Sequence, residues 1–233
     1  MSVLAIIPAR SGSRGIPGKN MTKLNGKPLI EYTINFALSS KKIQRIFVST
    51  DSKKIANFAQ SMGITTPYLR PKKLSDDSTP MIDVVKHVLA SLKKNENYIP
   101  KIICILQPTS PFRNKKMIDN AIFQLEHTKA TSVVSVVKLK NHPFASFKIK
   151  KGYLIPFISE FQKYYQRQKY PELFYPTGGI YAFRNSTIEK YGNFYGPKIH
   201  PLIMEPELSL DIDEKFDLFI SEMLLKFGKN KKF

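Results

Sequence analysis

Apolar residues follow two rhythms along this chain, and the two alternate. Val3–Pro8, Arg45–Ser49, Ile102–Leu106 and Ser132–Val137 are short, largely apolar runs, as expected of strands buried on both faces. Between them, Pro28–Ser39 carries Leu29, Ile30, Ile34, Ala37 and Leu38 on one helical stripe. Thr50-Asp51-Ser52 offers polar side chains suited to capping a helix over Lys53–Met62. Pro80–Leu92 sets Val84, Val85, Val88 and Leu92 on one face, and Lys115–His127 predicts a further helix. Ile180–Phe183 predicts another strand, and Phe216–Leu225 a closing helix. Repeated strand–helix units imply an α/β fold with a mostly parallel central sheet covered on both faces. Ligands of such folds gather at the carboxyl ends of the strands.

The rhythm breaks between Lys138 and Pro176. Aromatics and basic residues mix there without a period: Phe144, Phe147, Tyr153, Phe157, Phe161, Tyr164, Tyr165 and Tyr170. Such a segment is either an insertion covering the site or an arm packed on another subunit. No internal repeat or second domain of ordinary size accompanies it. The expectation is one domain over residues 1–233, with 138–176 inserted in it.

Composition narrows the class. Hydrophobic residues at 42% and aromatics at 12% fit a globular chain rather than a disordered one. No apolar stretch approaches the roughly 18–20 residues that cross a bilayer, and the first apolar run meets Arg10 too early for a secretory signal. Cys104, the single cysteine, sits inside an apolar run and is expected as a buried thiol. A cytoplasmic protein with no membrane partner follows. The net charge of +19 raises the question of nucleic acid. The lysines, however, are scattered in pairs such as Lys41-Lys42, Lys53-Lys54 and Lys72-Lys73, without an RNA-binding signature or an aromatic stripe. No nucleic-acid partner is expected.

The chemistry begins where the first strand ends. Ile7-Pro8-Ala9-Arg10 opens into Ser11-Gly12-Ser13-Arg14-Gly15-Ile16-Pro17-Gly18-Lys19-Asn20. Glycines let backbone N–H groups approach phosphate oxygens, while Arg10, Arg14 and Lys19 supply charge. A polyphosphate is the natural ligand. The P-loop pattern fails, because five residues separate Gly12 from Gly18 and Asn20 replaces the metal-binding hydroxyl. The dinucleotide fingerprint fails too, since Gly12, Gly15 and Gly18 are evenly spaced. A second segment, Leu106-Gln107-Pro108-Thr109-Ser110-Pro111-Phe112-Arg113, follows an apolar strand at the same edge. Gln107 and Thr109 are neutral donors and acceptors, suited to a base or sugar hydroxyl, although a Pro-rich turn explains them equally well. In Ser209-Leu210-Asp211-Ile212-Asp213, alternation puts both carboxylates on one face. They can share a hard cation, or Asp213 can cap the helix that follows.

Taken together, these segments resemble the sugar-activating cytidylyltransferases of the acylneuraminate type. Ala9, Arg10, Ser13, Arg14, Lys19 and Asn20 fill the N-terminal signature, with Arg14 where lysine is commoner. Gln107 to Arg113 matches a second motif with only Phe112 departing, Tyr68-Leu69-Arg70-Pro71 followed by Leu74-Ser75-Asp76-Asp77 a third, and Asp211-Ile212-Asp213 a fourth.

The resemblance implies a Rossmann-like, three-layer nucleotidyltransferase fold in which 138–176 forms a small dimerisation arm completing the partner's sugar pocket. It implies CTP and a nonulosonic (sialic-acid-like) acid as substrates, magnesium as cofactor and a homodimer. Pro8, Ala9, Arg10, Ser13, Arg14, Lys19, Asn20, Arg70, Gln107 and Thr109 would hold the nucleotide. Gln107, Arg167, Tyr175, Thr177 and Tyr181 would hold the sugar. Arg10, Lys19 and Asp211 would carry the chemistry, with Asp211 and Asp213 on the metal. Tyr175, Thr177 and Ala145 depart from the family pattern around the sugar, which leaves nucleotide handling intact and leans toward legionaminic or pseudaminic acid. His142 is expected to be structural. The rivals are an enzyme activating the eight-carbon acid Kdo, whose loop lacks the Asn20 position, and a non-catalytic scaffold of the same fold.

Overall fold

The computed structural model describes residues 2–159 and 166–227, apart from the side chain of Arg167. Of the expected arm aromatics, Phe161, Tyr164 and Tyr165 therefore lie outside the described residues, as does the Arg167 side chain. The strands are β1 (Val3–Pro8), β2 (Lys23–Leu24), β3 (Lys27–Pro28), β4 (Arg45–Ser49), β5 (Ile102–Ile105), β6 (Ser132–Lys138), β7 (Phe147–Lys150), β8 (Tyr153–Pro156), β9 (Phe174–Arg184) and β10 (Ile199–Ile203). The α-helices are α1 (Leu29–Ser39), α2 (Lys53–Ser61), α3 (Met81–Glu96), α4 (Lys115–His127), α5 (Asn185–Tyr191) and α6 (Lys215–Phe227).

Six strands form the central sheet in the order β10-β6-β9-β5-β1-β4. Only β9 runs against its neighbours, so the sheet is mostly parallel, as expected. β1 is the hub: Ile6 lies opposite Phe47 of β4 on one side and Ile105 of β5 on the other. The chain leaves β1 toward β4 and leaves β5 toward β6, in opposite directions. That divergence opens a crevice at the carboxyl ends of β1 and β5. β9, being reversed, brings its amino-terminal half to this same edge.

Alternation along the strands feeds two apolar layers. Val3, Ala5 and Ile7 pack with Ile30 and Ile34 of α1, Ala59 of α2 and Ile122 of α4. Leu4, Ile6 and Phe47 pack with Val85, Val88 and Leu92 of α3. Cys104 is wholly buried in the first layer, and burial pushes its thiol up to about 12. A third, smaller cluster sits beneath the first loop, where Ile16, Leu24, Leu29 and Ile212 meet Leu218 and Leu225 of α6. It staples the loop to the C-terminal segment, and so decides which carboxylates the loop can meet.

Helix ends follow local chemistry. Ser52 Oγ accepts from the Ile55 N–H at 3.4 Å, as its place before α2 suggested. α3 continues a turn beyond Leu92 and stops at Asn97, whose φ of 48° lies in the left-handed region. Two strands of the central sheet differ from expectation. β9 starts six residues before Ile180, because Pro176 followed by Gly178 and Gly179 resembles a turn in sequence. β10 was not anticipated: His200-Pro201 interrupts its apolar pattern, which an edge strand paired only with β6 tolerates. Within 138–176 the chain forms the β7–β8 hairpin, whose Ile149, Tyr153 and Leu154 are exposed.

Candidate active site

The first loop is organised by its own polar atoms. The Ala9 N–H donates to the Ser49 carbonyl at 2.9 Å, tying the start of the loop to the end of β4. Ser13 Oγ donates to the Ile16 carbonyl and accepts from the Lys19 N–H at 3.2 Å. The Asn20 carboxamide, buried, donates to the Arg10 carbonyl at 2.9 Å. Gly18, with φ of 64°, supplies the left-handed turn that leads into Lys19. Gly15 passes so close to the Asp213 carbonyl that a Cβ there would collide with it.

The cations of this loop are already paired. Arg10 and Arg14 both reach the Asp77 carboxylate, Arg14 at 2.5 Å, and these two partners hold Asp77 well below the usual carboxylate range. Lys19 Nζ lies 2.8 Å from Asp213. Arg70 is buried beneath them, donating to Ser49 Oγ at 3.1 Å and to the Ser49 carbonyl. Burial draws its guanidinium down to about 10, with Asp51 opposing and Arg10 reinforcing the shift.

The facing wall comes from the loop after β5 and from the C-terminal segment. The Ile212 N–H donates to the Thr109 carbonyl at 2.8 Å and its side chain is buried, so Asp211 and Asp213 turn toward the cleft. Ser110 Oγ donates to Asp211 Oδ1 at 3.3 Å. Burial raises the Asp211 carboxyl above its ordinary value; the Thr109 hydrogen bond opposes this, Asp213 adds to it, and Lys19 and Ser110 oppose it. The alternative reading of Asp213 as a helix cap gives way. Asp217 Oδ2 accepts from the N–H groups of Asp213 and Glu214, at 2.9 and 2.8 Å, and leaves the Asp213 carboxylate to Lys19. The two walls enclose a cleft of about 740 Å³, with Pro8, Arg10, Lys19, Gln107, Thr109 and Asp211 among its lining.

A basic, glycine-bearing loop thus faces an Asp-x-Asp segment across the edge of a doubly wound sheet. The cytidylyltransferase sequence profile matches residues 4–199. A CMP-N,N'-diacetyllegionaminic acid synthase of Legionella pneumophila is 34% identical, over 98% of each chain. The chain belongs to the acylneuraminate-type cytidylyltransferase family. An N-acylneuraminate cytidylyltransferase of Streptococcus agalactiae is also 34% identical over 93% of this chain, which spans 52% of that relative's length. Among solved structures, a CMP:2-keto-3-deoxy-manno-octonic acid synthetase complexed with CTP gives a TM-score of 0.70 at 16% identity, covering 98% of this chain and 100% of the other. That is a likeness of fold, and it agrees with the Rossmann-like nucleotidyltransferase architecture.

This cytidylyltransferase gathers Pro8, Arg10, Ser13, Arg14, Lys19, Asn20, Arg70, Gln107, Thr109, Asp211 and Asp213 around one cleft. Other expected residues stand elsewhere. Ala9 is buried with its N–H spent on β4, so it anchors the loop instead of lining the cleft. Thr177 is likewise buried: its hydroxyl joins Ser135 Oγ at 2.7 Å and Met204 Sδ at 3.3 Å, which turns it away from a sugar. Tyr175 is 61% exposed, on the part of β9 that pairs with Val137. Tyr181 is half-buried against Phe194 and Tyr195; burial, with Asp211 nearby, lifts its phenol up to about 12. His142 is structural, its ring bonded to the Pro171 carbonyl at 3.1 Å and packed on Phe144 and Tyr170. Two residues carried more than the sequence reading assigned them. Asp77, within the quoted Leu-Ser-Asp-Asp run, is the counter-ion of two arginines. Arg113, the last residue of the Gln107 motif, is wholly buried behind the cleft.

Proposed function

We propose that this cytidylyltransferase transfers CMP from CTP to the anomeric hydroxyl of a nonulosonic acid and releases pyrophosphate. The supporting observation is the facing of the Arg10–Lys19 loop and the Asp211/Asp213 pair across one cleft, with Gln107 and Thr109 between. The hydroxyl oxygen forms a bond to the α-phosphorus, the bond from that phosphorus to the bridging oxygen breaks, and pyrophosphate leaves with the electron pair. Such a displacement needs positioning and charge neutralisation more than covalent chemistry. Arg10 and Lys19 exchange their carboxylate partners for phosphate oxygens and stabilise the charge growing on pyrophosphate. Asp211, whose carboxyl is raised above its ordinary value by burial and whose carboxylate is correspondingly more basic, is the proposed acceptor of the hydroxyl proton.

Asp211 and Asp213 fit a magnesium ion. Among the described residues no group of three or more His, Cys, Asp or Glu stands together. Magnesium typically takes only one or two carboxylates, leaving its remaining positions to substrate oxygens and water. Once bound, the ion would neutralise phosphate charge during the displacement. Within the nonulosonic acids we favour one of the legionaminic kind, on the strength of the legionaminic relative's 34% identity over 98% of each chain. A homodimer through residues 138–176 is supported by the exposed Ile149, Tyr153, Leu154 and Phe157. Pyrophosphate release with CTP, magnesium and a panel of N-acetylneuraminic, legionaminic, pseudaminic and Kdo acids tests the reading. Release with at least one of the first three is expected, and silence with all four overturns it.

A further inference from the structure

Among the described residues Arg113 is the largest fully buried side chain, 0% exposed, and forms no ion pair. A buried charge without an ion pair is expensive unless its surroundings give it work; the Asp211 carboxylate favours the charged guanidinium, but burial outweighs it. Its partners are neutral and come from three different elements. One nitrogen donates to the Gly179 carbonyl on β9. The other donates to Thr33 Oγ1 on α1 and to the Gln107 carbonyl, the latter at 2.6 Å. Nε has no partner at all. The fork therefore bridges the loop after β5 to β9, which are two walls of the cleft.

What these walls hold in register is visible at Gly178. With φ of 73° and no side chain, it lets Gln107 Oε1 approach so closely that a Cβ would sit 2.6 Å from that oxygen and 3.5 Å from Asp211 Oδ2. Gln107, Gly178 and Asp211 thus form one corner of the cleft. Both backbone segments that make the corner end on the Arg113 guanidinium. We propose that Arg113 is a positioning residue, fixing the Gln107 and Gly178–Gly179 walls at the spacing that presents the acceptor sugar to Asp211, while the nucleotide loop is held independently. The mention of the acceptor rests on the proposed function; the wall spacing does not.

Two variants test it. Arg113→Lys keeps the charge but has a single donor head, which cannot span both carbonyls and Thr33. Thr33→Val, remote from the cleft, removes one acceptor and loosens the fork without touching the charge. In both, amide hydrogen exchange is expected to quicken about tenfold over residues 106–110 and 177–180 and to stay unchanged over 9–20. Steady-state kinetics should show the acceptor KM raised, or kcat lowered, about tenfold, with the Kd for CTP changed by less than that, because the Arg10–Lys19 loop keeps its own hold on the phosphates while Gln107 and Thr109 loosen. Should Arg113→Lys fail to fold, Thr33→Val decides. Unchanged exchange at both walls, or protection lost evenly across the sheet, overturns the proposal. The exchange readout needs no acceptor, so a wild-type enzyme silent toward every acid would sink the proposed function and leave this inference standing or falling by itself.

Discussion

Gly15→Ala offers the sharpest test of how the cleft is built. The backbone at Gly15 is not left-handed, so the substitution adds a methyl group without backbone strain. That methyl has nowhere to go, because the Asp213 carbonyl occupies its position. Restoring ordinary contact requires the loop and the Asp211–Asp213 segment to part by on the order of 1 Å, a displacement that costs about 100-fold in rate when it falls between catalytic groups. In free energy that is about 2.7 kcal/mol of transition-state stabilisation. Overpacking adds about 1–3 kcal/mol to the cost in stability, which lowers Tm by roughly 2–12 °C at this chain length. Gly12→Ala is the control for stability: nothing lies within 4 Å of a Cβ there, so its Tm should match wild type. Pyrophosphate release, with CTP binding followed by calorimetry and Tm by scanning fluorimetry, separates these effects. If folded Gly15→Ala keeps kcat/KM within about threefold of wild type, the close approach of loop and carboxylates has no part in catalysis.

Lys19→Gln should lower kcat by about 10²–10³, as removal of one charge-stabilising donor does. It should move Tm little, because the Asp213 side of its ion pair is 69% exposed and such pairs contribute about 0–1 kcal/mol. Equal losses of Tm and kcat would contradict that division. His87 has its pKa lowered from 6.5, by burial first and then by Arg70 and Lys73. The unfolded chain therefore binds its proton more readily, and stability is lost as pH falls below about 6.5 toward the folded value. His87→Gln should flatten the drop of Tm between pH 7 and pH 5, and an unaltered drop would remove His87 from the acid response. Cys104, buried with its thiol pushed up to about 12, should resist an aromatic disulfide reagent until denaturant is added. Labelling of the native protein at the rate of a free thiol would show that the sheet opens there.

Much of the site was legible because its chemistry is local in the chain. The loop after β1 announces its ligand through glycines and cations within a few residues, and the alternation in Asp211-Ile212-Asp213 states which side chains share a face. Ile212 goes to the core and both carboxylates to the cleft, for the same reason that any short extended segment alternates. What was misjudged depends on neighbours far away in the chain. Thr177 looked like a polar group by the sugar; Ser135, brought beside it by the bulged pairing of β6 and β9, and Met204, which follows β10 on the far side of β6, claim its hydroxyl instead.

The sequence by itself determined the alternation of strands and helices, the buried faces of β1 and β5, the basic glycine-bearing loop and the family. Each of these is written in the spacing of residues along one segment. Tertiary structure alone decided that Asp217 rather than Asp213 takes up the N–H groups just ahead of α6, that Asp77 neutralises Arg10 and Arg14, and that Arg113 lies buried between two walls of the cleft. A charged side chain reads the same in sequence whether it faces water, a carboxylate or a ring of carbonyls. Its role is set by desolvation and by partners from distant segments, and only the folded sheet, with β9 reversed against β5 and β6, brings those partners together.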